Sequence, residues 1–170
     1  MNLYDEIGVT RVLNASGSMT YLGGSLIAPE VIEKMNEAAR AFVVIEELME
    51  WAGREIARLT GAQAGMVTSG SAGGILLSMA ACLTGTDRQR MRLLPDTGGR
   101  PNEVVMQRAH RIGFDHAVGV AGGRIVEAGD EAGTTPMQLE AAFCERTASV
   151  LHVALDPRPA VPLREVARIA

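Results

Sequence analysis

A run of small hydroxyl and glycine residues, Ser69-Gly70-Ser71-Ala72, is the part of the sequence best suited to chemistry. It follows a short apolar run at residues 64–67, which predicts a buried strand, and precedes a long apolar stretch, which predicts a buried helix. A helix that begins at such a turn directs unpaired backbone N–H groups and the positive end of its dipole at one point. We therefore expect this turn to hold an anion such as a phosphate. The alternative is a plain strand-to-helix turn capped by serine.

Three histidines are the other residues that could act chemically. His110 and His116 follow the predicted strand Glu103–Gln107, at the carboxyl end where open α/β sheets bind their ligands. Both a site role and an ordinary structural role fit that position. His152 lies inside the apolar run that predicts a strand over Ser149–Leu155, so we expect it to be a core residue. The histidines lack the spacing of metal ligands, and no metal site is predicted.

Several common kinds of active site are excluded because the sequence lacks their motifs. Residues 69–73 lack the first glycine of a hydrolase nucleophile elbow. No Gly-Lys-Ser/Thr follows a glycine loop, and no Gly-x-Gly-x-x-Gly follows a strand, which argues against a Walker-type nucleotide site and a dinucleotide site.

Composition limits the remaining classes. The 170 residues are 47% hydrophobic and carry a net charge of −4, with no basic stripe, so nucleic acid is not an expected partner. There is no signal peptide and no apolar run of about 18 residues, so we expect no membrane segment and a cytoplasmic protein. Cys82 and Cys144 fall in predicted helices and are expected to be buried thiols.

The elements that must position these residues alternate between helices and strands. The pattern predicts helices from Asn2 to Ile7, Pro29 to Phe42, Ile45 to Thr60, Thr135 to Arg146 and from Pro162 onward; strands at Arg11 to Asn14, Glu103 to Gln107, Arg124 to Ala128 and Ser149 to Leu155; a short strand or turn at Ala117 to Ala121; and a turn at residues 156–159. Such alternation predicts an α/β fold with a mainly parallel sheet.

Two long connections are predicted to be loops. Residues 15–24 are too small and polar to form a core, and a loop of that length is often functional. Residues 84–102 form a loop or entrance flap with four arginines, which serve either as surface charge or as contacts to an anionic substrate: Arg88, Arg90, Arg92 and Arg100.

Taken together, these motifs resemble a known enzyme group. The chain is similar to the N-terminal part of pyridoxal-phosphate enzymes of the aspartate-aminotransferase fold type. Within that fold type it resembles the selenocysteine-synthase-like group, which is related to L-seryl-tRNA selenium transferase. This group includes D-glucosaminate-6-phosphate ammonia-lyase. The matching stretches are residues 11–17, 20–25, 67–72, 110–111, 115–117 and 162–166. The resemblance implies an incomplete large domain with flanking helices, residues 1–60 forming an N-terminal arm with helices and residues 61–170 the first part of the cofactor-binding domain.

The resemblance also implies site residues. Ser69, Gly70, Ser71 and Ala72 would hold the phosphate of pyridoxal 5'-phosphate. One histidine would stack on the pyridine ring, with His110 favoured over His116. Tyr21, Gly23 and Gly24 would line the substrate side, across the interface of a homodimer or a higher homo-oligomer.

The chain departs from that group in its lysine content. Lys34 is the only lysine among 16 basic residues, and it lies on a predicted amphipathic helix ahead of the phosphate turn. The group's chemistry requires a Schiff-base lysine and an aspartate paired with the pyridinium nitrogen. We therefore expect a fragment that ends before its catalytic lysine, contains no catalytic residue and is inactive alone.

The expected function of the whole enzyme is that of a lyase, eliminating ammonia or a β-substituent from a small amino acid or amino sugar acid. One alternative is selenium transfer onto seryl-tRNA, which the acidic charge and the lack of an N-terminal helical extension disfavour. Another is a non-catalytic α/β module that binds a phosphorylated metabolite.

Overall fold

Two compact units, Met1–Met66 and Val67–Ala170, divide the chain in the computed structural model. The structure describes residues 2–154 and 159–170. Two predictions fall partly outside the described residues. They are the end of the predicted strand at Leu155 and the predicted turn at 156–159, of which only Pro159 is described. Within the described part, no helix is both long and apolar enough to cross a membrane.

From residue 2 onward, the first unit contains three α-helices and one 3-10 turn, which are α1 (Leu3–Glu6), the turn Thr20–Leu22, α2 (Pro29–Ala38) and α3 (Ile45–Thr60). The predicted first and third helices are confirmed, and α1 carries a capping box formed by Asn2 and Asp5. The helix from Pro29 ends at Ala38 rather than Phe42. Phe42 is fully exposed, so no packing holds a further turn.

Neither strand predicted in residues 1–67 forms. Residues 11–14 and 64–67 are irregular, because a strand needs a ladder partner and no described strand pairs with them. After α3 the chain turns at Gly61, which has a positive φ of 72°. It then runs back against the helix so closely that a Cβ on Gly53 would lie 2.5 Å from the carbonyl oxygen of Gly65.

The second unit is built on three parallel strands in the order β2-β1-β3. These are β1 (Glu103–Gln107), β2 (Arg124–Ala128) and β3 (Thr147–Leu151). Every residue of the central strand β1 is buried, as expected for its apolar centre Val104–Met106. Its polar ends, Glu103 and Gln107, are buried as well and are hydrogen-bonded. The predicted parallel α/β fold is confirmed, and β1 and β2 have the predicted bounds.

Among the described residues of this unit, five helices accompany the sheet: α4 (Ser71–Thr84), α5 (Arg88–Leu93), α6 (His116–Val120), α7 (Pro136–Glu140) and α8 (Leu163–Ile169). Neighbouring strand residues point to opposite faces, so Val104 and Val105 belong to different core clusters. The Val104 cluster contains residues of α4 and α6, and the Val105 cluster contains residues of α7 and α8. The sheet therefore has helices on both faces.

Several predicted elements of this unit are corrected. The predicted loop at 84–102 contains α5, whose first turn is capped by the Asp87 carboxylate. Residues 117–121, predicted as a strand or turn, lie in the helix α6 and the turn after it, where Ala117 and Val118 become buried. The helix begun at Thr135 ends at Glu140 instead of Arg146, because the chain must enter β3 at Thr147.

The predicted burial of α4 and of both cysteines is also corrected. Only Met79, Leu83 and Thr84 of α4 are buried, since the helix packs along one side alone. Cys82 is exposed on another side of the helix, and Cys144 is exposed in the connection after α7. Neither cysteine is a core residue in this chain.

We predict that Leu139→Ala lowers the free energy of unfolding by about 2 to 5 kcal/mol, because it leaves a cavity between α7 and the sheet. Leu139 is 0% exposed, whereas Met137 on the same helix is 77% exposed. Urea unfolding of the Leu139 and Met137 alanine variants checks this. An equal effect of the two substitutions would contradict the described core.

Candidate functional site

The predicted anion turn opens α4 with a glycine backbone. Gly70 has φ 118° and ψ 178°, a region that essentially only glycine occupies. The first helical hydrogen bond runs from the Gly74 N–H to the Gly70 carbonyl at 2.9 Å. The N–H groups of Ser71, Ala72 and Gly73 therefore have no partner within the helix and can donate to a bound anion.

Hydroxyl groups lie over this first helical turn where glycines leave room for them. A Cβ on Gly73 would lie 3.0 Å from Ser69 Oγ, and one on Gly74 would lie 3.5 Å from Thr68 Oγ1. The Thr68 hydroxyl donates to the Gly70 carbonyl at 3.1 Å, which fixes the bend of the turn. Backbone N–H groups, hydroxyls and open glycine positions form a donor set that fits a phosphate.

Two histidines meet at the carboxyl edge of the sheet. His110 ends the 3-10 turn that follows β1 and is 3% exposed. His152 follows β3 directly, so its predicted position inside the strand is wrong by one residue. Because β1 and β3 are parallel neighbours, their ends bring the two rings together with centroids 4.5 Å apart and planes at 83°. His152 therefore lies beside a candidate site residue.

Gln107, the last residue of β1, holds this edge in place. Its Oε1 accepts from the Val161 N–H at 2.6 Å and its Nε2 donates to the Val161 carbonyl at 2.9 Å. The same Nε2 lies 3.5 Å from His152 Nδ1. Burial lowers the pKa of His152, because it disfavours the charged imidazolium.

An ion cluster fixes the loop between β1 and α6. Arg111 Nε lies 2.6 Å from Asp115 Oδ2, and the Arg111 guanidinium also contacts Glu127 on β2. The Ile112 N–H donates to Asp115 at 3.1 Å. The Arg111 hydrogen bond holds the pKa of the Asp115 carboxyl below its ordinary value, and the same contact raises the pKa of Arg111.

His116, the second histidine candidate, begins α6 and is exposed. Its Nδ1 lies 2.9 Å from the Gly113 carbonyl, so this nitrogen carries the proton and donates. The ring is thereby held toward its own loop, and its predicted role in cofactor binding stays a prediction.

The predicted substrate-side residues lie in the first unit. Tyr21 occupies the 3-10 turn Thr20–Leu22 and is 80% exposed. Gly23 and Gly24 follow with φ of 88° and 85°, values that favour glycine. Met19 and Gly24 form an isolated antiparallel bridge that closes the turn. Their role toward a substrate stays a prediction.

The arginines of the predicted flap differ in exposure: Arg88, Arg90 and Arg92 are exposed, whereas Arg100 is half-buried. Three of them lie on α5, where Arg90 forms an ion pair with Asp87 at 3.0 Å. Arg100 lies in the connection between α5 and β1, so the four do not share one element.

A groove of about 350 Å³ joins the anion turn to the carboxyl end of β3. Ser71 and Ile75 of α4 line one side, and Val150 and Leu151 of β3 line the other. His152 is the residue after Leu151. The turn and the groove thus form one candidate site within the second unit, and the histidine pair lies at the strand ends beyond Leu151.

Comparison with known proteins finds relatives that match nearly the whole chain. D-glucosaminate-6-phosphate ammonia lyase of Salmonella typhimurium is 44% identical over 156 residues, covering 89% of this chain and 42% of that protein. A Streptomyces 5'-C-glycyluridine monooxygenase-decarboxylase is 36% identical, covering 98% of this chain and 44% of that protein. No family model matches.

A solved structure of D-glucosaminate-6-phosphate ammonia-lyase is similar to the chain with a TM-score of 0.94 and 39% sequence identity, covering 99% of this chain and 48% of that one. The chain thus spans less than half the length of each relative it matches. The predicted enzyme group and the partial α/β domain are both confirmed.

We predict that Asp115→Asn lowers the free energy of unfolding at neutral pH by about 1 to 2 kcal/mol. This loss is smaller than for a fully buried ion pair, because the Arg111 partner is partly exposed and solvent screens the interaction. The lowered pKa of Asp115 means that its stabilisation is complete above its unfolded pKa of about 3.9 and is lost as pH falls through the folded value.

Urea unfolding at neutral pH and at about pH 3, below the unfolded pKa, checks this. The difference in the free energy of unfolding between the wild type and Asp115→Asn should be smaller at the acid pH. The difference between the wild type and the exposed control Glu140→Gln should be the same at both pH values. A difference that grows in acid would contradict the ion-pair assignment.

Proposed function

Because this chain belongs to the group of proteins that contains D-glucosaminate-6-phosphate ammonia lyase, we propose that the protein is a pyridoxal-phosphate-dependent lyase. Its substrate is a small amino acid or an amino sugar acid, from which it releases ammonia. The observation that carries the proposal is the uncapped N-terminus of α4, open to an anion and joined by a groove to the end of β3.

The donor set at α4 fits the phosphate of pyridoxal 5'-phosphate. The N–H groups of Ser71 and Ala72 and the hydroxyls of Ser69 and Ser71 bind the phosphate, and Gly70 allows its close approach. His110, at the carboxyl end of β1, contacts the ring. When bound, the cofactor supplies an electron sink that lets a leaving group depart from the substrate's β-carbon.

In this proposal the residues of this chain bind and orient the cofactor and the substrate, and they do not transfer protons. Lys34, the only lysine, forms an ion pair with Glu37 at 2.7 Å on α2, and its side chain is 80% exposed. We assign it no covalent role and assign no catalytic residue within these 170 residues. Tyr21, Gly23 and Gly24 contribute to the substrate side in a homodimer.

Substrate choice follows from the relatives and from charge. One relative is named for an ammonia lyase of a phosphorylated amino sugar acid. The net charge of −4 disfavours a tRNA substrate, so L-seryl-tRNA selenium transfer is the weaker alternative. A non-catalytic phosphometabolite-binding module would retain the anion turn without turnover.

We predict that Ser69→Ala and Ser71→Ala each weaken pyridoxal-phosphate binding by about ten- to a hundredfold, because each removes a donor to a charged phosphate. Fluorescence titration of the protein expressed from its own gene measures the dissociation constant. Gln89→Ala, an exposed position on α5 outside the groove, is the control and should leave the constant within about twofold. Unchanged affinity in both test variants would remove the phosphate assignment.

The reaction is tested with a substrate panel. We predict release of ammonia and a keto acid from a small amino acid or an amino sugar acid, with or without a phosphate group, in the absence of tRNA. Seryl-tRNA with selenophosphate and 5'-C-glycyluridine with oxygen are the competing substrates. Turnover confined to either of them would replace the lyase assignment, and cofactor binding without any turnover would favour the binding module.

A further inference from the structure

The N-terminus of α4 lacks an ordinary side-chain cap. Such a cap accepts a hydrogen bond from one of the first backbone N–H groups and so holds the end of the helix in place. At α4 the N-cap residue is Gly70, which has no side chain, and no side chain of the described residues caps the helix. The first N–H groups are thereby left for an anion, but the turn needs another contact to hold its shape.

The need arises because Gly70 is conformationally free. It has φ 118° and ψ 178°, and a glycine reaches many other backbone conformations at little cost. A contact that favours this one conformation reduces the entropy lost when a ligand binds. Among the described hydrogen bonds, one side chain donates to the Gly70 carbonyl, which is the Thr68 hydroxyl at 3.1 Å. The same carbonyl accepts the first helical hydrogen bond, from the Gly74 N–H at 2.9 Å.

We propose that Thr68 is a positioning residue that takes the place of an N-cap, because its hydroxyl holds the Gly70 carbonyl and so orients the first N–H groups of α4 toward a phosphate. The inference rests on the proposed function, in which that phosphate belongs to pyridoxal 5'-phosphate. A serine or aspartate at the N-cap would accept from one of these N–H groups and compete with the ligand for it. Thr68 donates to a carbonyl instead, so the turn keeps both its shape and its donors.

The test compares Thr68→Val with Thr68→Ser in the protein expressed from its own gene. Valine keeps the branched shape of threonine and removes the hydroxyl, whereas serine keeps the hydroxyl. Pyridoxal phosphate is the first probe, and its dissociation constant is measured by fluorescence titration. Inorganic phosphate is the second probe, and its inhibition constant is measured by competition with pyridoxal phosphate. The same valine substitution at the exposed Thr86, beyond the other end of α4, is the control.

We expect Thr68→Val to weaken the binding of both probes by about three- to tenfold, as the loss of one hydrogen bond implies. The factor should be the same for the two probes, because the contact acts on the phosphate alone. Thr68→Ser and Thr86→Val should each bind both probes within about twofold of the wild type. Thermal unfolding verifies that the variants fold, and Thr68→Ala serves as the variant without a hydroxyl if the valine variant does not fold.

A variant without the hydroxyl that binds pyridoxal phosphate like the wild type overturns the proposal, and so does a serine variant as impaired as the valine one. A loss confined to pyridoxal phosphate, or inorganic phosphate that fails to compete in the wild type, also overturns it, because Thr68 would then act on another part of the ligand. In all these cases the wild type still binds pyridoxal phosphate and the proposed function stands. Failure of the wild type to bind pyridoxal phosphate removes the proposed function and this inference together.

Discussion

The parallel pairing of β1 with both of its neighbours is the constraint on which the second unit depends. Parallel strands place all their carboxyl ends at one edge, so Gln107, His110 and His152 meet there although 45 residues separate Gln107 from His152. The helices on both faces bury β1 completely and leave it no freedom to shift its register. A change of one residue in that register would separate the side chains that form the site.

The opposite edge of the sheet is held by charge. Glu103, the first residue of β1, is 5% exposed and accepts from Arg124 at 2.5 Å and from Arg146 at 3.1 Å. The Cys144 thiol also donates to it at 3.3 Å, and these contacts hold the pKa of Glu103 below its ordinary value. The amino edge thus joins β1, β2 and the entry to β3 through a buried carboxylate.

Local sequence predicted the elements whose signals are local. Pro29, the Thr135-Pro136 pair and the glycine after α3 mark helix ends by backbone chemistry, and β1 is apolar enough to indicate a buried central strand. Features that depend on tertiary pairing were not predictable. Residues 11–14 have strand character but no described partner, and His152 reads as core until the register of β3 places it past the strand end. Polar residues ending adjacent parallel strands are the signal that could have identified Gln107 and His152.

The anion turn shows why glycine matters more than charge at this site. No acidic or basic side chain lies in the first turn of α4, so attraction for a phosphate comes from the helix dipole, free N–H groups and hydroxyls. These donors converge because Gly70 takes a backbone conformation closed to other residues and because Gly73 leaves room for the Ser69 hydroxyl. A lysine or arginine reaches an anion through a flexible side chain and tolerates small backbone shifts, whereas N–H donors do not. The specificity of the turn therefore depends on its backbone, and a side chain at Gly70 would disturb it by straining that backbone.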